Sequence, residues 1–251
     1  MANFSTHIAY AAAASGLLSV LCLQIGLVNP NEALLLAFLG TIGGILPDVD
    51  LQHSYPSSIM FSLIGIGMAF ATIFTMDKDV SILEMWFVGL CVFTAIRYPI
   101  WIVFHQYTTH RGSIHSLIAA LFAMFITVSV SYYWLHKNAF VAWLLGFFVL
   151  MGFILHLLLD EFYSVDFTNR RIKRSFGTAL KVLDNRKPLK SSIMILATVL
   201  AWYSTPNIKE FWDTLVSKET YQIIGARFFP TNENQRAPTS STTNGSRVLS
   251  R

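Results

Sequence analysis

The feature that most constrains this chain is its succession of apolar runs. Stretches 8–28, 57–75, 81–104, 114–135 and 139–159 carry almost no charge. Each is close to the roughly 20 residues an α-helix needs to cross a hydrocarbon core of about 30 Å. Inside lipid the backbone must satisfy its own hydrogen bonds, and helices do so within one segment. Composition agrees, with 54% hydrophobic and only 13% charged residues, where soluble domains carry about a quarter charged. The expected fold is therefore an all-α, multi-pass transmembrane helical bundle of six or seven spans. Two shorter runs leave the count open. Run 33–46 stops at Leu46-Pro47, where the residue before proline is pushed out of helical geometry, and 191–203 is marginal in length.

Within that frame, 1–205 reads as one membrane domain. No basic leader precedes the first run, so it is expected to stay as an anchor. A turn is expected at 29–31, a kink at Pro99, and an interfacial belt at Tyr132, Tyr133 and Trp134. Gly40, Gly43 and Gly44 would permit close helix packing. Segment 161–190 is strongly basic, with Arg170, Arg171, Lys173, Arg174, Lys181, Arg186, Lys187 and Lys190 against Glu161, Asp166 and Asp184. Its basic run reads as an orientation signal and lipid-headgroup contact. Segment 206–229 reads as an amphipathic surface helix and 230–251 as a disordered tail. Cys22 and Cys91 lack metal-ligand spacing and read as small apolar side chains. The net charge of +4 does not imply nucleic acid.

The polar residues that matter stand at the ends of the runs. His110-Arg111-Gly112-Ser113-Ile114-His115-Ser116 places two imidazoles around a glycine that lets the chain turn. If a helix begins near Ser113, His115 falls in its first turn, where the dipole favours the neutral ring a metal needs. The free N–H groups there suit an anion. His156 and Asp160 are four apart and share a helix face. Asp48 and Asp50 flank one valine, and in an extended segment after Pro47 they would point the same way. With His7, the set has four imidazoles and three carboxylates, a mixed N/O donor set that suits Zn²⁺ or a similar divalent ion better than Ca²⁺ or Mg²⁺. It is enough for one ion or two. His105 and His136 read as ordinary interfacial residues, and His53 is balanced between roles. Arg111 is open between a substrate-anion contact and a basic flank. Arg97 either snorkels or pairs with Asp160 or Glu161.

Following the chain across the bilayer brings His7, Asp48, Asp50, His110, His115, His156 and Asp160 to one face, together with the basic segment. The opposite short loops hold Glu32, Asp77, Lys78, Asp79 and Lys137. By the positive-inside bias, the ligand-bearing face is expected to be cytoplasmic. A second run that dips and returns would change this parity.

Three segments then carry a resemblance: Leu46-Pro47-Asp48-Val49-Asp50, the His110–Ser116 stretch, and Gly152 to Asp160 ending in His-x-x-x-Asp. With His7 they resemble the YdjM-like family of bacterial inner-membrane metal-dependent hydrolases over about residues 5–180. That family is distantly similar to zinc-dependent phospholipase C. Here Ser113-Ile114 stand where the family often has an aromatic or aliphatic residue followed by Thr, and Leu51 stands where a His often follows the second Asp. The resemblance implies a bacterial inner-membrane location and a metal site made of His7, Asp48, Asp50, His110, His115, His156 and Asp160. A hydrolase of this kind would use a metal-activated water, with Asp50 or Asp48 as general base and Arg111 holding the substrate's anion. At headgroup depth its substrate would be a phosphoester or lipid, and membrane lipids its partners. A transporter and a non-catalytic metal staple are the alternatives. Transporters place such sites near the midplane, whereas the middles of the first, third, fifth and sixth runs are charge-free.

Overall fold

The computed structural model describes residues 3–50, 55–76, 80–107, 114–163, 165–166, 171–172, 181–182 and 188–228. Its helices in chain order are α1 (Phe4–Gln24), α2 (Pro30–Gly43), α3 (Tyr55–Phe74), α4 (Ile82–Ala95), α5 (Trp101–Tyr107), α6 (Leu117–Tyr133), α7 (Ala139–Phe162), α8 (Pro188–Tyr203), α9 (Lys209–Val216) and α10 (Lys218–Phe228). A 3₁₀ turn, Leu46–Asp50, follows α2, and a π-helical turn, Ile96–Ile100, joins α4 to α5. Two-residue strands β1 (Val165–Asp166) and β2 (Arg171–Ile172) pair antiparallel in the basic segment. Among the described residues the fold is all-α apart from this ladder. Phe4–Gln24, Ser57–Phe74, Ile82–Phe104 and Ala139–Phe162 are long and apolar enough to cross a membrane, and α6 and α8 are shorter apolar helices.

Local chemistry sets several boundaries differently from the sequence reading. The expected turn at 29–31 is the start of α2. Asn29 accepts the Glu32 N–H at 3.0 Å, Glu32 accepts the Asn29 N–H at 3.2 Å, and Pro30 takes the first helical position, where no N–H is needed. α1 starts at Phe4, so His7 lies inside the helix rather than ahead of it. The kink expected at Pro99 falls in the π-helical turn, and the helix does not end there. The missing N–H is absorbed by the wider π turn, and the path continues into α5. The expected single helix over 206–229 is two, because Ser217 adopts an extended backbone and its hydroxyl accepts the Thr220 N–H. The expected disordered tail, 230–251, lies outside the described residues.

α7 is the central helix, buried along most of its length, while Ile82–Phe104 is almost wholly exposed. Large apolar side chains such as Leu83, Trp86, Phe87 and Leu90 face outward, which is the surface a lipid solvent calls for. α1 turns a stripe of small residues inward: Ala11, Ser15, Ser19 and Cys22, with His7 at its head. Such a stripe lets helix backbones approach closely. α2 answers with Gly40, Gly43 and Gly44. A Cβ on Gly40 would strike Ser15, one on Gly43 the Val149 carbonyl, and one on Gly44 the Ala11 methyl. On α7, a Cβ on Gly152 would strike the Gly40 carbonyl.

These contacts hold α1, α2 and α7 alongside one another. At one end of the bundle Lys137, in the α6–α7 turn, pairs with Glu32 at 3.2 Å. α9 also docks there: Phe211 is buried against Phe140, Trp143 and Phe147, and the Trp143 indole N–H donates to the Pro206 carbonyl at 3.1 Å. α2, with 14 residues, covers about 21 Å from that end to the other. It does not dip and return.

Replacing Gly152 with alanine should therefore lower the thermal unfolding midpoint in detergent, at a cost of about 1–3 kcal/mol for overpacking against immovable backbone. Gly16 has open space around it, and Gly16→Ala should leave the midpoint unchanged or raise it slightly. Equal midpoints for both variants would refute the close approach of α2 and α7.

Candidate metal centre

At the end opposite Lys137, four helix termini meet. α1 brings His7, the 3₁₀ turn after α2 brings Asp48, the approach to α6 brings His115, and the last turns of α7 bring His156 and Asp160. All five side chains are buried, His115, His156 and Asp160 to about 1% exposure. They form two overlapping groups that share His156. His7, His156 and Asp160 are one, and Asp48, His115 and His156 the other; within each, the candidate ligand atoms lie within 4.8 Å of one another.

His156 is the pivot. Its Nδ1 lies 2.7 Å from the Gly44 carbonyl oxygen. A carbonyl only accepts, so Nδ1 carries the proton and Nε2 presents a lone pair to the cluster. This is the arrangement metal-ligating histidines use, with the distal nitrogen fixed by an outer acceptor. From Nε2, Asp48 Oδ1 is 3.6 Å away and Asp160 Oδ2 4.0 Å. His7 Nε2 lies 3.4 Å from Asp160 Oδ1, and its ring stacks on that of His156 at 3.7 Å between centroids, 14° from parallel. The His115 ring stands edge-on to His156 at 5.9 Å.

The donor set fits a divalent ion on three counts. Buried His156 Nε2 has no hydrogen-bond partner among the described residues, a costly state for a polar atom removed from water. The 3.4 and 3.6 Å separations are longer than charge-assisted hydrogen bonds of about 2.7–2.9 Å. Two donors each about 2.0–2.2 Å from one tetrahedral ion would stand roughly 3.3–3.6 Å apart, and both separations match that spacing.

Two local expectations are corrected. Residues after Pro47 form a 3₁₀ turn, not an extended segment, because Asp48 N–H closes onto the Ile45 carbonyl at 3.0 Å. The extended geometry expected to align Asp48 with Asp50 is therefore not the one adopted here. The helix after the His110–Ser116 stretch begins at Leu117, not near Ser113. Ser116 is its N-cap, accepting the Ala119 N–H, and the Leu117 N–H donates to the Lys181 carbonyl at 3.0 Å. His115 thus precedes the helix, and two of the N–H groups proposed for an anion are already engaged.

His110 and Arg111 lie outside the described residues, as do His53 and the side chains of Asp50 and His105. His136 is exposed in the α6–α7 turn at the far end, with φ of 49°. Arg97 lies over the rings of Tyr98 and Trp101, 5.3 and 5.8 Å from their centroids, a cation–π placement. Sequence reasoning missed the Gly44 carbonyl. The pattern at Gly43-Gly44 points to packing alone, and its one further signal is a glycine pair closing a helix just ahead of Leu-Pro-Asp.

The chain matches the family model described as YdjM inner membrane protein over residues 1–180, a stretch that contains every residue of the cluster. No curated protein and no solved structure matches it.

Purified in detergent, the protein should carry a divalent metal measurable by elemental analysis, and His156→Ala should lower its content at least tenfold. Chelation should lower the unfolding midpoint, since an ion at 100 times its Kd contributes about 2.7 kcal/mol. Metal content unaffected by His156→Ala would remove this cluster as the binding site.

Proposed function

This chain belongs to the YdjM inner membrane protein family, and from that premise we propose that it is a membrane-bound, divalent-metal-dependent hydrolase of phosphoester or lipid-like substrates at the membrane interface. The observation that carries the reading is the convergence of His7, Asp48, His115, His156 and Asp160 at one end of an apolar bundle. A soluble structural site would not need five buried polar groups at the rim of membrane helices, where ionisable residues are expensive.

His7, Asp48, His115, His156 and Asp160 are assigned as ligands, with Asp50 and His110 completing the set, and zinc is the ion their N/O chemistry suits. Bound there, such an ion supplies a hydroxide near neutral pH and polarises the attacked ester. The residues around it have separate tasks. Gly44 holds His156 in the tautomer that donates from Nε2. The Asp160 carboxylate faces both imidazole edges, 3.4 Å from His7 Nε2 and 4.0 Å from His156 Nε2, and so offers its oxygens to the same ion as the two rings. Asp50, or Asp48 where it is free of the metal, takes the proton of the attacking water as general base. Arg111 contacts the substrate's anionic group. The basic segment 161–190 follows directly on Asp160, so the positive-inside bias supports a cytoplasmic site.

One observation favours a second reading. The five side chains are almost fully enclosed, as the ligands of structural metal sites are, and a metal that only clamps helix ends would look the same from within. A transporter is the least supported, because the cluster sits at helix termini and not at mid-bundle.

The metal-loaded protein, in detergent or liposomes, should hydrolyse members of a phosphoester panel that includes phospholipids. Asp48→Asn and His115→Ala should each lower kcat/KM by about 10²-fold or more. If chelation destabilises the protein but no member of the panel is cleaved, the clamp reading replaces the enzyme.

A further inference from the structure

Beside the cluster lies a cavity of about 510 Å³ between α3 on one side and α2, α6 and α7 on the other, within the range of roughly 300–1,000 Å³ usual for ligand sites. Its near end is formed by Leu46, Val49 and Ile114, so it begins at residues that adjoin Asp48 and His115 in the chain. Its far end reaches Phe38, Ile64 and Ile126. Along α2 and α6 that is about 12–15 Å, the depth of one leaflet of a 30 Å hydrocarbon core. Among the lining residues only Thr127 has a polar side chain, and its hydroxyl is turned back to the Ala123 carbonyl of its own helix at 2.8 Å. The floor is closed by buried Val49, Ala119, Val149 and Phe153, while Phe38, Ile64 and Ile126 are 41–52% exposed. The slot therefore opens sideways, toward the surface that lipid covers.

We propose that this slot receives one acyl chain of a membrane lipid, entering laterally from the bilayer, with the lipid's ester or phosphoester at the His/Asp cluster. The slot has a leaflet's depth and an apolar lining, and at one end it begins at residues next in the chain to Asp48 and His115 of the polar cluster, which matches a chain with a headgroup. A water-soluble phosphoester would leave it unfilled. The proposal rests on the metal-dependent hydrolase reading and narrows its substrate to an acyl lipid.

The test reconstitutes the full chain in phosphatidylglycerol/phosphatidylethanolamine vesicles doped with a phospholipid carrying a diazirine at mid-chain, followed by photolysis and peptide mapping. Labels are expected to concentrate on residues 60–64 and 119–127. Ala123→Trp fills the slot and should cut that labelling about tenfold while metal content, read by elemental analysis, stays at the parent level. Ile126→Trp at the mouth gives the same reading without burdening the packed floor, and unfolding midpoints verify that both variants fold. Labels spread evenly over outward residues such as Leu83, Trp86 and Leu90 would overturn the proposal, as would slot labelling that survives both substitutions. Strong slot labelling in a protein that binds no metal and cleaves nothing would sink the hydrolase reading and leave the acyl slot standing. Metal-dependent cleavage of soluble phosphoesters, without slot labelling, would do the reverse.

Discussion

The structure depends on the close approach of α2 to α7. Gly43 meets Val149, and Gly152 meets the backbone of Gly40 and Gly44, across a contact with no room for a Cβ at Gly43 or Gly152. In lipid the hydrophobic effect does not press helices together, so dispersion between fitted surfaces and hydrogen bonds must do it. The contact also brings the Gly44 carbonyl within 2.7 Å of His156 Nδ1. The same geometry therefore holds the bundle and sets the imidazole's tautomer. Packing and chemistry are one requirement here.

Much of this was legible in the chain, for physical reasons that can be named. Apolar runs of span length fix helices whatever their tertiary partners, because an unpaired backbone group in lipid costs several kcal/mol. Counting crossings was enough to bring His7, Asp48, His115, His156 and Asp160 to a single end, since each stands at a run's terminus. The pair His156 and Asp160 follows from the helical period alone. Misjudged features were decided by one or two hydrogen bonds. Ser116 caps a helix that starts later than expected, Asn29 and Glu32 turned an expected turn into a helix start, and the Asp48 N–H drew an expected extended segment into a 3₁₀ turn. Such choices lie within a kcal/mol or so of one another, below what pattern can resolve. The Gly44 carbonyl was invisible for another reason: every residue has a carbonyl, and only the fold says which one a ring will meet.

The α3–α4 hairpin differs in character from the rest. It meets the bundle chiefly near the cluster, where Val49, Met60 and Phe61 pack with Phe104 and the Trp101 indole donates to Ser57 at 2.9 Å. Further along, α3 and α4 rely on each other, with Gly65 against Phe93 and Gly89 against Ile73. The gap left between hairpin and bundle is the acyl slot, so the slot and the cluster share a boundary at Val49.

The partner that fixes His156 is a main-chain oxygen, and any amino acid at position 44 would offer the same atom. What restricts that position is the Ala11 methyl beside it, a question of spacing and not of functional groups. The ring's proton is thereby tied to the distance between two helices. A residue whose side chain held the two helices apart would release the imidazole while leaving every candidate ligand in place.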